Sequence, residues 1–179
     1  MSRKIVLYTA VSLDGYIAKK NDSLDWLHAS ETEGDDNGFQ EFYDTIDTVL
    51  VGRRTYDQVI LHHPDEPPFE DKECYVFSRS VSGTEDNAKF VNEDIVEFTK
   101  KLKETDGGNI WMVGGGEALK PLLEAKLVDE FMLQVTPVIL GEGIPLFIHG
   151  DYGMRLSLID MKRYNQFAEL HYVLTQKPV

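Results

Sequence analysis

Apolar residues follow two alternating rhythms along this chain. Residues 4–11, KIVLYTAV, form a nearly continuous apolar and β-branched run, the pattern of a strand covered on both faces and therefore central in a sheet. From Gly38 to Ile46 the apolar positions Phe39, Phe42, Tyr43 and Ile46 have helical spacing, and 48–51 reads as another buried strand. The alternation continues with a helix over 55–61 and short strands at 75–77 and 89–91. A helix capped by Asn92 is predicted to run through Thr105, with Ile95, Phe98 and Leu102 on one face and Lys100, Lys101 and Lys103 near its C-terminal end, where they suit the helix dipole. A strand at 110–113, a helix over 117–125 and a long apolar strand over 130–140 come next. The chain closes with a predicted hairpin, 155–162 and 167–176, turning at Tyr164 and Asn165. Its second strand alternates Leu170, Tyr172 and Leu174 with Glu169, His171 and Thr175.

Strands separated by helices imply right-handed crossovers. The expected architecture is a three-layer α/β fold with a mostly parallel central sheet and an antiparallel C-terminal hairpin, in a single domain over residues 1–179. Ligands in such sheets sit beyond the carboxyl ends of the strands.

Composition narrows the choice of ligand. The formal net charge is −13, which argues against nucleic acid, whose affinity comes largely from Lys and Arg on phosphates. No stretch approaches the ~20 apolar residues of a membrane span, and the N-terminal residues lack a small-residue cleavage site. A cytoplasmic protein with no membrane partner is expected. Cys74 is the single cysteine and the histidines show no ligand spacing with it, so neither a disulfide nor a metal is expected. A buried small hydrophobe is the favoured reading of Cys74 over a nucleophile. Two acidic loops, 28–37 and 62–71, are read as solvated surface or as a lid.

Against this acidic background, the strand ends carry phosphate-friendly chemistry. After the first strand comes SLDGYIA, with Gly15 between Asp14 and Tyr16. After the second comes VLVGRRTYD, where Gly52 ends the strand and Arg53, Arg54 and Thr55 open a helix. YVFSRS places Ser78 and Arg79 after the third, and IWMVGGGEAL places Val113, Gly114, Gly115, Gly116 and Glu117 at the end of the fifth. Three consecutive glycines admit two readings, a tight turn packed under the sheet or a bared helix start whose N–H groups receive an anion. The coincidence at three strand ends favours an anionic ligand. A Rossmann fingerprint is not the match, since SLDG stands where G-x-G-x-x-G should begin.

In this order, SLDGYIA, VLVGRRTYD, YVFSRS, IWMVGGGEAL and VDEFMLQVTPVILGEGIPLF resemble the dihydrofolate reductase fold family, closest to the riboflavin-biosynthesis reductase branch, the RibD C-terminal domain. The resemblance spans nearly the whole chain. It implies NADPH as cofactor and a small heterocycle as substrate. Thr9 and Ala10 would meet the nicotinamide amide, and Ile17 and Ala18 would pack near its ribose. Gly52, Arg53, Arg54 and Thr55 would hold the pyrophosphate. Arg53, Ser78 and Arg79 would surround the 2′-phosphate, and Val113 with Gly114 to Glu117 would admit the nicotinamide ribose and diphosphate. Asp36 falls near the place of the reductases' proton-assisting carboxylate, with an exposed acidic loop as its other reading. Asp14 is read as facing the nicotinamide pocket or as shaping an Asp-Gly turn. Trp26 and Gln134 fall at substrate-contacting positions, with Trp26 otherwise anchoring its loop.

Relatives commonly form homodimers, and the apolar stretch from Val135 to Phe147 belongs either to such an interface or to the core. Three functions remain open at this point. One is a reductase of the ribosylamino-pyrimidine of riboflavin synthesis or of a pterin, the second a genuine dihydrofolate reductase, and the third an NADPH-binding module without turnover.

Overall fold

The apolar run at the start of the chain becomes the strand around which the sheet is arranged. In the computed structural model, which describes every residue except Met1, Glu66 and Pro178, the elements follow in chain order. They are β1 (Ile5–Val11), β2 (Tyr16–Ala18), α1 (Asp25–His28), α2 (Phe39–Tyr43), β3 (Ile46–Gly52), α3 (Arg53–His62), β4 (Glu73–Phe77), β5 (Gly83–Glu85), β6 (Ala88–Val91), α4 (Ile95–Lys103), β7 (Asn109–Gly114), α5 (Gly116–Glu124), β8 (Glu130–Val135), β9 (Ile144–Pro145), β10 (Leu156–Tyr164) and β11 (Phe167–Leu174). The large sheet has the order β10-β11-β8-β1-β7-β3-β4-β6-β5, while β2 and β9 form a separate small pair. From β8 to β6 the strands run parallel, and β11, β10 and β5 are antiparallel to their neighbours.

Because alternate residues of a strand face opposite sides, β1 feeds two cores. Ile5 and Leu7 point into one, filled by Leu102 of α4 and by Leu119, Leu122 and Leu123 of α5. Val6 and Tyr8 point into the other, with Phe42 of α2, Tyr56 of α3 and Trp111 of β7. Helices therefore lie on both faces of the sheet, as the alternation of patterns requires. The second core is aromatic. Tyr8 stacks on Phe42 with ring centroids 4.0 Å apart, and Trp111 makes edge contacts with Tyr8, Phe39, Phe42, Tyr43 and Phe69. Cys74 is fully buried there and burial pushes its thiol up to about 12, so it packs as a hydrophobe and is no nucleophile.

Several boundaries differ from the sequence reading. The helix expected over 38–46 stops at Tyr43, and Ile46 starts β3. The cap of α4 is Asp94, not Asn92: its carboxylate accepts from the Glu97 N–H at 2.9 Å, and an anion is favoured at a helix N-terminus. The strand expected through Leu140 ends at Val135, where Pro137 follows without an N–H for the ladder, and the chain turns away toward Asp14. In the hairpin, Glu169 is buried and His171 is half-buried against Glu130. β11 is not the edge strand, and Glu169 is 4% exposed. The edge is β10, which leaves Leu158, Ile159 and Met161 exposed.

Candidate functional site

β4, β3, β7 and β1 are parallel neighbours, so their carboxyl ends share one rim of the sheet. Gly52 of β3 pairs with Phe77 of β4, and Val51 pairs with Gly114 of β7. Residues far apart in sequence are thereby brought side by side: Ser78 and Arg79 after β4, Gly52 to Thr55 after β3, the glycine run after β7, and Thr9 and Ala10 near the end of β1.

Two helices start at this rim in contact with each other. Neither Gly52, which precedes α3, nor Gly115, which precedes α5, gives its helix a side-chain cap, so first-turn N–H groups are left for another acceptor. A Cβ on Gly115 would sit 3.0 Å from the Thr55 hydroxyl, and one on Gly52 would sit 3.3 Å from the Ala118 methyl. The three glycines thus serve different ends. Gly115 has φ +91 and is required by the approach of the two helices, whereas Gly116 is required by Ile148, 2.8 Å from where its Cβ would lie. Gly114, with φ +134, has nothing within 4 Å of its Cβ direction. Packing accounts for Gly115 and Gly116, while Gly114 leaves an open face.

The cationic groups differ in how committed they are. Arg54 is tied to Asp22 through two hydrogen bonds, 2.9 and 3.1 Å. Arg53 bonds Asp57 at 2.7 Å and lies 5.0 Å over the Phe90 ring, next in sequence to Val91, whose carbonyl accepts from the Ser78 N–H. Among the described residues Arg79 has only the exposed Glu117 carboxylate for a partner, at 3.7 Å and 96% side-chain exposure, a pair worth little in water. The Ser78 hydroxyl is inward and accepts from the Val81 N–H at 3.1 Å.

Ile17 and Ala18 lie on β2, which pairs with β9, so this small sheet closes the rim beside the start of α5. Asp14 staples it from the other side. Its carboxylate accepts from the Ser12 hydroxyl at 2.6 Å and from the N–H groups of Leu140 and Gly141 at 3.1 and 2.7 Å. The Ser12 bond, then the two N–H bonds, hold its pKa below the usual carboxylate range. Asp36 is likewise engaged: it accepts from the N–H groups of Gln40 and Gly38 ahead of α2, at 2.9 and 3.0 Å, and both lower its pKa. It is exposed, in the setting of a helix cap.

Of the expected substrate residues, Trp26 is buried in α1 and its indole N–H has no partner among the described residues. Gln134 is buried on β8, where its side-chain amide donates to the Asn37 carbonyl at 2.7 Å and to Glu169 at 2.9 Å. Sequence reasoning missed Glu169 and Asn37. Apolar residues on both alternations of β11, Phe167 on one and Leu170 on the other, were the available signal that the strand is covered on two faces.

A family model, RibD C-terminal domain, matches residues 3–168. The chain belongs to the RibD C-terminal domain family. Among relatives of this RibD C-terminal domain protein, the uncharacterized protein YwjB of Bacillus subtilis (strain 168) is 47% identical over 174 residues, covering 97% of this chain and 99% of YwjB. A putative riboflavin biosynthesis protein from Shewanella sp. PV-4 superposes with TM-score 0.85 at 28% identity, over 98% of this chain and all of that one. The fold extends to two more distant proteins. The diaminohydroxyphosphoribosylaminopyrimidine deaminase/5-amino-6-(5-phosphoribosylamino)uracil reductase of Thermotoga maritima has TM-score 0.69 and 15% identity, over 97% of this chain and 57% of that longer one. Dihydrofolate reductase from Enterococcus faecalis complexed with NADP(H) has TM-score 0.69 and 13% identity, over 98% of this chain and 100% of that one. The three-layer fold is thus dihydrofolate reductase-like. No helix among the described residues is long and apolar enough to cross a membrane.

Proposed function

We propose that the protein is an NADPH-dependent reductase of a small nitrogen heterocycle, with 5-amino-6-(5-phosphoribosylamino)uracil, named for the Thermotoga protein, as first candidate. One observation carries the reading: two helix N-termini without side-chain caps meet at Gly52 and Gly115, with Arg79 nearly free at the same rim. Uncapped N–H groups, an open glycine face and a loosely held guanidinium fit a dinucleotide diphosphate with a further phosphate on its ribose.

When bound, the coenzyme supplies the hydride, and the chain supplies position and dry surroundings. In this reading the first-turn N–H groups of Arg53, Arg54 and Thr55 take the diphosphate. Arg53 and Arg79, with Ser78, bracket the 2′-phosphate. The main chain of Val113 to Glu117 would hold the nicotinamide ribose, that of Thr9 and Ala10 would hold the nicotinamide amide, and Ile17 and Ala18 would keep water from its ribose. Asp14 and Asp36 are given no proton-transfer role in this reading, because hydroxyl and main-chain donors of the turn and of the start of α2 already occupy their carboxylates. A homodimer is part of the proposal, supported by the exposed Leu158, Ile159 and Met161 of β10, and light scattering reads it directly.

The test is titration of the protein with NADPH and NADH, followed by coenzyme absorbance in the presence of the aminouracil and of dihydrofolate. NADPH is expected to bind at least about tenfold tighter than NADH, as a charge-assisted phosphate contact allows, and to be oxidised by the aminouracil. Binding without oxidation by either compound supports a binding module instead, and absence of NADPH binding overturns the reading.

A further inference from the structure

The face of the sheet that carries α2 ends in an unusual row. Ala10, Gln134 and Glu169 are paired across β1, β8 and β11, so their side chains point to the same face at the carboxyl end of β1. Glu169 is 4% exposed, and the donor that reaches it among the described residues is the neutral amide of Gln134. Among the described residues no Lys or Arg forms an ion pair with it; Lys162, its cross-strand partner on β10, reaches toward Glu41 at 3.5 Å instead. A buried carboxylate with one neutral donor is poorly compensated, because burial removes its hydration and a single amide restores a fraction of it.

Two further buried polar groups stand beside it. The Tyr8 hydroxyl has no partner among the described residues and the residue is 6% exposed; burial raises its pKa first, and the charge of Glu169 raises it further, which puts the phenol in the field of this carboxylate. The Asn37 side-chain oxygen also has no partner among the described residues, at 6% exposure, and the carbonyl of the same residue holds Gln134. Native interiors leave few such groups unsatisfied. Three poorly satisfied groups gathered on one spot, at the strand ends where the coenzyme rim also lies, are better explained by recognition than by packing.

We propose that Glu169 is a substrate-specificity residue, a carboxylate that accepts ring N–H groups of the heterocycle, with Gln134 and Tyr8 as its flanking polar groups. The inference rests on the proposed reductase function for the identity of the heterocycle. It moves substrate recognition from the exposed Asp36 to a side chain on the hairpin. The segment from Asp35 to Gly38 lies over the carboxylate, held by the Gln134–Asn37 bond and by the Asn165 amide on Asp35 at 2.6 Å, so entry of the ring requires this segment to lift. The acidic loop then acts as the lid of the substrate half.

The experiment compares 5,6-diaminouracil with 5,6-diamino-1,3-dimethyluracil, which keeps the ring but lacks its N–H donors. Binding of both is measured by ligand-observed magnetic resonance, with and without NADPH, on the wild type, Glu169→Gln and Glu169→Met. The wild type is expected to favour the N–H compound by about tenfold or more, the size of a hydrogen bond to a charged group. Glu169→Gln, of the same shape, is expected to reduce that preference and Glu169→Met to abolish it, with NADPH affinity unchanged in both. A merely structural glutamate lowers stability without altering the ratio between the two uracils. An unchanged ratio in Glu169→Gln, or no preference in a wild type that binds NADPH, overturns the proposal. Failure of NADPH binding with the uracil preference intact instead overturns the coenzyme reading alone.

Discussion

The rim at β3, β4 and β7 and the pocket region at β1, β8 and β11 are built by different means. At the rim, the main chain does the work: glycines let two helix starts meet, and N–H groups face outward by virtue of helix geometry. At the other end, buried side chains from distant segments converge, Tyr8, Asn37, Gln134 and Glu169. A main-chain site tolerates little added volume at its glycines. A side-chain site shows the opposite sensitivity, surviving changes of shape better than loss of one acceptor.

The sharpest way to break this contrast is through the aromatic core shared by both regions. Trp111→Ala removes the ring that Tyr8, Phe39, Phe42, Tyr43 and Phe69 pack against, and is expected to cost about 3–5 kcal/mol in chemical denaturation while loosening α2. Gly115→Ala comes next. At φ +91 a Cβ is strained and meets the Thr55 hydroxyl, so a loss of roughly 1–2 kcal/mol is expected, together with weakened NADPH binding that calorimetry reads; stability and affinity both at wild-type level refute the close approach.

Arg79→Glu separates charge from shape. Its side chain is almost wholly exposed, so thermal unfolding should be unmoved, while NADPH affinity should fall roughly ten- to a hundredfold and NADH affinity far less. Equal loss for both coenzymes removes the 2′-phosphate assignment. The smallest effect concerns Asp14. Its folded pKa lies below the unfolded one, so the staple between 136–143 and the β1–β2 turn is present at neutral pH and is lost as pH falls through that depressed value. Hydrogen exchange at Leu140 and Gly141 should therefore quicken on the acid side in the wild type, and in Asp14→Asn should be quick and flat across the same range.

The same contrast governs how much the sequence reveals. Contiguous motifs such as VLVGRRTYD and IWMVGGGEAL report a main-chain site directly, because the residues that form it are neighbours, and the strand and helix order followed from periodicity. The sequence does not reveal that Arg54 is occupied by Asp22, or that Gly115 and Gly116 answer to Thr55 and Ile148, since those partners lie on other segments. Glu169 was hidden for a related reason. Alternation assigns it to the polar face of a hairpin, and only the placement of β11 between β8 and β10, under the segment preceding α2, makes that face an interior.

The first strand has a consequence for biogenesis. β1 leaves the ribosome ahead of every other element described, yet its two sheet neighbours are β7 and β8, more than a hundred residues later, Ile5 beside Ile110 and Val6 beside Glu130. Nascent chains arrested short of Asn109 should stay open to protease along β1, whose apolar run has neither of its sheet neighbours until β7 is made.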